Sequence, residues 1–86
     1  MATVRLSKLL APVVGDRLEL EVEGGTVDQV IANLLEELPG LRQHLFDQSG
    51  GLRPHVLCFV DEELDRLDDR TSPVHKLEFL HAVSGG

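Results

Sequence analysis

The most distinctive reactive group in this sequence is expected at the end of the chain. The last two residues are Gly85 and Gly86, and the α-carboxylate of Gly86 would be the reactive group. A carboxylate acylates poorly until it is activated, for instance as a mixed anhydride with AMP. Two residues without a Cβ allow the backbone to enter a narrow cleft and to adopt φ values closed to other residues. The pair therefore predicts a tail that another enzyme activates.

The glycine pair alone is weak evidence, because six of the eight glycines occur in pairs. The other pairs, Gly24-Gly25 and Gly50-Gly51, are expected in turns, and a terminal pair can also be a frayed end. An extended tail can gain main-chain hydrogen bonds to a groove. The residues before the pair are therefore expected to contact a partner, with Val83 as an apolar anchor: His81, Ala82, Val83 and Ser84.

The other reactive side chains are not arranged for chemistry. The four histidines show no short metal-ligand spacing: His44, His55, His75 and His81. The one cysteine, Cys58, lies in an apolar run and is interpreted as a small buried hydrophobe. The segment 61–69 holds six carboxylates, which Arg66 and Arg70 are expected to neutralise in part, but it lacks the glycine and distal glutamate of a calcium loop. We expect no metal, no bound cofactor and no independent catalysis.

The composition narrows the class of partner. Fifteen acidic residues against eight lysines and arginines give a formal charge of −7, which argues against binding nucleic acid or an anionic membrane. The negative net charge favours docking on a basic partner, or it serves only to keep the protein soluble. One cysteine excludes an internal disulfide. Because the sequence shows neither a secretion signal nor a long apolar run, a cytoplasmic protein is expected.

Apolar residues that alternate with polar ones predict two strands in the first quarter of the chain. Val4 and Leu6 alternate with polar neighbours, and the segment 17–23 places every second residue on one apolar face. The residues between these segments include Pro12 and Gly15, which favour a turn. Together they predict an N-terminal hairpin.

A helix is predicted from residue 26 onward. Thr26 can cap its start, and Gln29 three residues later completes a capping box. Apolar residues then recur at steps of three and four, as expected for a helix packed on a sheet: Val27, Val30, Ile31, Leu34, Leu35 and Leu38. Pro39-Gly40 ends the helix, and 41–46 is expected to add a short helical turn.

Two further strands are predicted in the second half of the chain, near 55–64 and 74–80. Their alternation places Val56, Cys58, Val60, Leu77 and Phe79 toward the core. The opposite face would carry Glu78 and three apolar residues that we interpret as a docking patch: Leu57, Phe59 and Leu80. The alternatives are that a loop covers these three residues, or that the register is displaced by one residue, which would reverse every facing.

The order strand, strand, helix, strand, strand predicts an α+β fold in which one amphipathic helix packs across a mixed sheet of four to five strands. The first and last strands are expected side by side at its centre. Residues 1–86 would form a single domain that ends in a flexible tail from about residue 81.

This order, with a terminal Gly-Gly, resembles the ubiquitin-like β-grasp proteins and, among them, the sulfur carriers of the MoaD/ThiS family. The resemblance rests on "VRLSKLLAPVVG", "HVLCFVDEELDRL" and "FLHAVSGG". The sequence departs from the family where His81 replaces a frequent proline, where Asp61 replaces asparagine, and where "SPVHK" replaces a glycine-and-acid turn.

The resemblance implies that a ThiF/MoeB-like enzyme uses ATP to adenylate Gly86, after which a sulfur donor forms a thiocarboxylate for an acceptor synthase. The protein would then be a carrier, or a small non-catalytic subunit of an enzyme such as molybdopterin synthase, and not a catalyst. Molybdopterin, thiamine thiazole, cysteine, modified tRNA and a specialised thio-metabolite all remain possible destinations of the sulfur. Two alternatives stay open: a ubiquitin-like modifier joined to lysine through Gly86, and an interaction domain with an inert tail.

Overall fold

The computed structural model describes residues 1–82, which contain a five-stranded mixed sheet. Its strands are β1 (Ala2–Leu6), β2 (Glu19–Val22), β3 (Val56–Val60), β4 (Glu63–Asp65) and β5 (Lys76–His81). The helices are α1 (Ala11–Val14), α2 (Val27–Glu37) and α3 (Arg42–Leu45), and 3₁₀ turns at Lys8–Leu10 and Pro39–Leu41 precede α1 and α3. The predicted α+β fold is confirmed. No helix among the described residues is long and apolar enough to cross a membrane.

The strand order is β2-β1-β5-β3-β4, so the first and last strands are neighbours at the centre, as predicted. β1 and β5 run parallel, with Leu6 opposite Phe79, and the other neighbouring strands are antiparallel. β4 returns beside β3 through a two-residue turn, in which Asp61 and Glu62 have φ of 48° and 72°. Positive φ at both turn residues matches the twist of a tight hairpin.

The helix α2 begins and packs as its sequence indicates. The Gln29 N–H donates to Thr26 Oγ1 at 3.3 Å, and Gln29 Oε1 accepts from the Gly25 N–H at 2.9 Å. The side chain of Gln29 therefore reaches one residue farther than in the usual capping box. The predicted apolar stripe is buried apart from Leu38, which is half-buried at the end of the helix.

The prediction of a simple turn between the first two strands is wrong. The 3₁₀ turn and α1 fill this connection and bury Leu10 and Val14. Ser7 caps the start of the 3₁₀ turn by accepting from the Leu9 N–H, and Pro12 lies in the first turn of α1, where its missing N–H costs nothing. Gly15, with a φ of 70°, ends α1. The residues that favour a turn here are those that begin and end a short helix.

The core lies between the inner face of the sheet and α2. Leu77, Phe79 and Cys58 are fully buried there, which confirms the predicted facing of β3 and β5. Phe46 packs edge-to-face on Phe79 with ring centroids 6.1 Å apart. Burial, and to a smaller extent the nearby Asp65, raise the pKa of the Cys58 thiol to about 12. Cys58 is therefore a packing residue, as predicted, with little reactive thiolate at neutral pH.

Candidate functional site

An apolar patch occupies the outer face of the sheet beside the end of β5. Leu57 on β3 lies directly opposite Leu80 on β5, and Phe59 lies two residues farther along β3. Leu80 is 37% exposed, while Leu57 and Phe59 are half-buried. The predicted outward facing of these three residues is confirmed. Their role in docking remains a prediction.

The sequence analysis missed a fourth member of this surface, Leu64. It lies opposite Phe59 across the β3–β4 hairpin and is 62% exposed. The signal that could have identified it is an isolated leucine in an acidic segment, positioned by the two-residue turn after Val60. We call Leu57, Phe59, Leu64 and Leu80 the apolar patch. Contiguous exposed apolar residues of this kind are typical of contact surfaces.

An open cleft adjoins the apolar patch at the β3–β4 edge of the sheet. Its volume is about 310 Å³, and it shares Leu57 and Leu64 with the patch. Its apolar wall includes Val56, Cys58 and Leu67. The cleft exists because β4 pairs only with residues 58–60, so the first part of β3 has no neighbouring strand on that side. The patch and the cleft share two leucines and therefore form one continuous surface at this edge of the sheet.

The other part of the outer face carries ion pairs. Arg5 on β1 reaches Glu19 at 3.3 Å and Glu78 at 3.8 Å. Lys76 reaches Glu78 at 3.6 Å and Glu62 at 3.8 Å. Glu78 lies between the two cations, with its side chain 17% exposed. These five residues form what we call the ion-pair chain, and it borders the apolar patch where Glu78 lies opposite Phe59.

Asp61, which stands where the family more often has asparagine, ties the β3–β4 turn to the start of β5. Its Oδ1 accepts from the backbone N–H groups of His75 and Lys76, both at 2.9 Å. These two hydrogen bonds, with the nearby His75, lower the pKa of Asp61 below its ordinary value. Asparagine also offers one carbonyl oxygen to two donors, so the departure from the family preserves this contact.

The basic residues of the acidic segment do not neutralise it by direct pairing. Arg70 donates to the carbonyl oxygens of Gly50 at 2.7 Å and Leu67 at 3.2 Å, and its guanidinium lies 5.2 Å from the centre of the Phe46 ring. Within residues 1–82, neither Arg66 nor Arg70 forms an ion pair. Arg70 instead fastens two loops together, and the partial neutralisation of the acidic segment by these two arginines stays a prediction. Among residues 1–82, no cluster of histidine, cysteine or carboxylate side chains could hold a metal ion.

The root of the tail lies at the end of β5. His81 lies opposite Val56, and the Ala82 N–H donates to the His55 carbonyl oxygen at 2.8 Å. The β5–β3 pairing therefore extends to the last described residue. Among residues 1–82, no hydrogen-bond partner is found for the buried Nδ1 of His81. The other predicted tail residues, Val83, Ser84, Gly85 and Gly86, lie outside the described residues, so their roles stay predictions.

The architecture and the position of the tail root define the class as ubiquitin-like β-grasp. A chain of the BexX/CysO complex from Amycolatopsis orientalis is similar over 100% of both chains, with a TM-score of 0.82 and 24% identity. CysO from Mycobacterium tuberculosis gives a TM-score of 0.78 at 26% identity, over 96% of this chain and 100% of that one. SAMP1 from Haloferax volcanii gives 0.73 at 29% identity, over 99% of this chain and 98% of that one.

The family follows from the sequence itself. A model of the ThiS family matches residues 4–86, so the chain belongs to the ThiS family. The resemblance to MoaD/ThiS-type sulfur carriers is confirmed. A comparison with proteins of curated function finds no match.

Proposed function

We propose that this protein is a sulfur carrier whose Gly86 carboxylate is adenylated by a partner enzyme and converted to a thiocarboxylate. The observation that carries the proposal is the extent of the ThiS family match, which begins in β1 and runs through the glycine pair. The match therefore includes both the folded body and the tail. Similarity to CysO over nearly the whole chain also supports a carrier.

The chemistry proceeds at the end of the main chain. A carboxylate oxygen of Gly86 attacks the α-phosphorus of ATP, and pyrophosphate leaves. Hydrosulfide delivered by the donor then adds to the carbonyl carbon of the acyl-adenylate, AMP leaves with the bonding electron pair, and the thioacid loses its proton. The resulting thiocarboxylate has a softer and more nucleophilic sulfur, which an acceptor synthase transfers to its substrate. ATP is bound by a ThiF/MoeB-like enzyme and not by the carrier.

In this proposal the folded body presents the tail and supplies no catalytic group. The Cys58 thiol is buried, and its raised pKa of about 12 leaves little thiolate. The apolar patch lies on the outer face with Leu80, two residues before the last described residue. A partner that covers Leu57 and Leu80 is thereby positioned to receive the chain beyond Ala82. The adjoining cleft accepts one partner side chain as an anchor.

The proposal is tested by intact mass after activation. The full chain is incubated with ATP, a ThiF/MoeB-like adenylating enzyme and a sulfur donor, and we expect the mass change of one oxygen-to-sulfur exchange. A matched variant that lacks Gly85 and Gly86 should keep its folded body and show no exchange. If the full chain never forms an adenylate or a thiocarboxylate, or if the shortened variant retains all partner-dependent activity, the proposal is wrong.

A second candidate function is protein modification, which the similarity to SAMP1, a small archaeal modifier protein, favours. Both functions begin with adenylation of Gly86 and differ in the nucleophile that follows. A lysine amine would give an isopeptide bond in place of the thiocarboxylate. Conjugates of increasing mass on other proteins in cell extract, absent when Gly85 and Gly86 are deleted, would identify the modifier.

A further inference from the structure

Acidic residues are absent from four long segments of this otherwise acidic chain. None of the fifteen aspartates and glutamates lies in 6–15, 38–46, 48–60 or 79–86. Asp47 alone separates the second of these segments from the third, while the first and the last lie far from both in the linear sequence. The sheet brings their described parts together at one end of the molecule, where β5 ends.

Two of the contacts that join these segments involve β5 and the residue that follows it. The Ser7 N–H, just after β1, donates to the Phe79 carbonyl oxygen at 2.8 Å. On the other side of β5, the Ala82 N–H donates to the His55 carbonyl oxygen at 2.8 Å. The chain after β1 and the chain before β3 therefore flank the root of the tail.

Two further contacts join the remaining segments, so that the four segments form a closed ring. Arg53 Nε donates to the Gln43 carbonyl oxygen at 2.6 Å, which joins the segment before β3 to α3. A Cβ built on Gly40 would lie 3.1 Å from Val13 Cγ1, so the chain before α3 passes against α1. The four acid-free segments thus lie around one end of the fold, which we call the tail-bearing pole and to which Asp16 and Asp47 are adjacent in the chain.

The cations of the tail-bearing pole are available to a partner. Lys8, Arg42 and Arg53 are exposed, and within residues 1–82 no ion pair joins them to a carboxylate. Elsewhere, Arg5 and Lys76 are committed to carboxylates of the ion-pair chain. We call Lys8, Arg42 and Arg53 the cationic collar.

We propose that the cationic collar docks on an acidic rim around the opening through which the adenylating partner receives the tail. This inference rests on the proposed function. The four residues after Ala82 span at most about 14 Å, so an inserted tail brings its root close to that opening. An acidic rim repels a body of charge −7 in every orientation except the one that leads with the collar. The charge distribution therefore orients the carrier tail-first during encounter.

The experiment compares charge reversals at the collar with a matched reversal elsewhere. The variants are K8E/R42E and K8E/R42E/R53E, and the control is R5E, which also reverses an exposed arginine but lies in the ion-pair chain, outside both the collar and the cleft. K8E/R42E keeps the Arg53–Gln43 hydrogen bond, so it remains informative if the triple variant loses stability. Association with the ThiF/MoeB-like enzyme is measured by stopped flow from low to high salt.

We expect K8E/R42E to slow association at low salt by roughly 10-fold or more, with a further loss in the triple variant. The difference from wild type should shrink as salt screens the charges, and adenylation at saturating carrier should stay unchanged. R5E should slow association much less.

Three outcomes would overturn this inference. The first is an equal effect of R5E, which indicates net charge alone. The second is no effect of the collar variants. The third is low-salt self-association that the collar variants abolish, which indicates a second copy as the occupant. Failure of the proposed function gives a different result. The wild-type chain would then form no adenylate at any salt concentration, whether or not it binds the enzyme.

Discussion

The two ends of β5 differ in how their outer-face residues satisfy their contacts. At its start, Lys76 and Glu78 belong to the ion-pair chain, and Asp61 accepts two backbone N–H groups at this end. At its end, Leu80 belongs to the apolar patch and His81 leads to the tail. Polar contacts made within the molecule are thus concentrated away from the tail. In the proposed function, the apolar patch beside the tail is the surface that contacts another protein.

This comparison separates two measurable properties. Changes at the start of β5 should alter the free energy of unfolding, and changes at its end should alter partner binding. A residue that moves both quantities equally would show that the two ends are not independent.

The largest effect is expected from truncating the apolar patch in L64S/L80S. These two side chains are exposed, so their loss costs little folding energy, whereas loss of a central contact typically costs a complex about 2 kcal/mol or more. We expect kcat/KM for carrier-dependent adenylation to fall by roughly 30-fold, with thermal unfolding nearly unchanged. T3A, on the β1 part of the same outer face, is the control. If T3A lowers kcat/KM as strongly, docking is not specific to the apolar patch.

The next effect is expected from D61A, which removes the acceptor of two backbone N–H groups. We expect the free energy of unfolding to fall by about 1 kcal/mol, a modest value because Asp61 is exposed and water replaces part of the contact. Urea unfolding measures this change. Adenylation of the folded variant at saturating carrier should match that of wild type. A loss of activity without a loss of stability would contradict the division of roles along β5.

A smaller effect is expected in the pH dependence of D61N. Because folding lowers the pKa of Asp61, its contribution to stability is present above the unfolded pKa, near 3.8, and is lost as pH falls through the lower folded pKa. Asparagine keeps an acceptor for both N–H groups but does not titrate. The difference in unfolding free energy between wild type and D61N should therefore change only in acid. If the difference in unfolding free energy instead changes between pH 6 and 8, another titrating group is responsible for it.

The smallest effect is expected from R5A, which removes one cation from the ion-pair chain. Exposed ion pairs contribute about 0–1 kcal/mol, so we expect a loss of about 0.5 kcal/mol that decreases as salt rises. Urea unfolding at low and high salt measures it. Partner association should remain at the wild-type rate, since Arg5 lies on the part of the face away from the apolar patch. A salt-independent loss would indicate packing by the Arg5 stem instead of charge.

Local sequence patterns predicted the elements whose residues repeat regularly. The alternation around Leu77 and Phe79 and the stripe of α2 identified both layers of the core, because burial imposes the periods of strand and helix. Leu57 and Leu80 were placed on the outer face for the same reason.

The features that were not predicted depend on contacts between distant segments or on short elements. α1 has four residues, contains Pro12 and is followed by Gly15, so its sequence resembles a turn. β4 has three residues, and its partner is fixed by positive φ at Asp61 and Glu62, which neither residue type requires. The cationic collar could not be recognised from the sequence alone, because Lys8, Arg42 and Arg53 come together only in the folded sheet.

The parallel pairing of β1 with β5 has a consequence for biosynthesis. The last strand of the described chain is inserted between the first strand and β3, so the sheet stays incomplete until β5 has left the ribosome. The same insertion fixes the root of the tail. If the proposed function holds, nascent or misfolded molecules should therefore not be loaded with sulfur, because the root of their tail is not yet fixed.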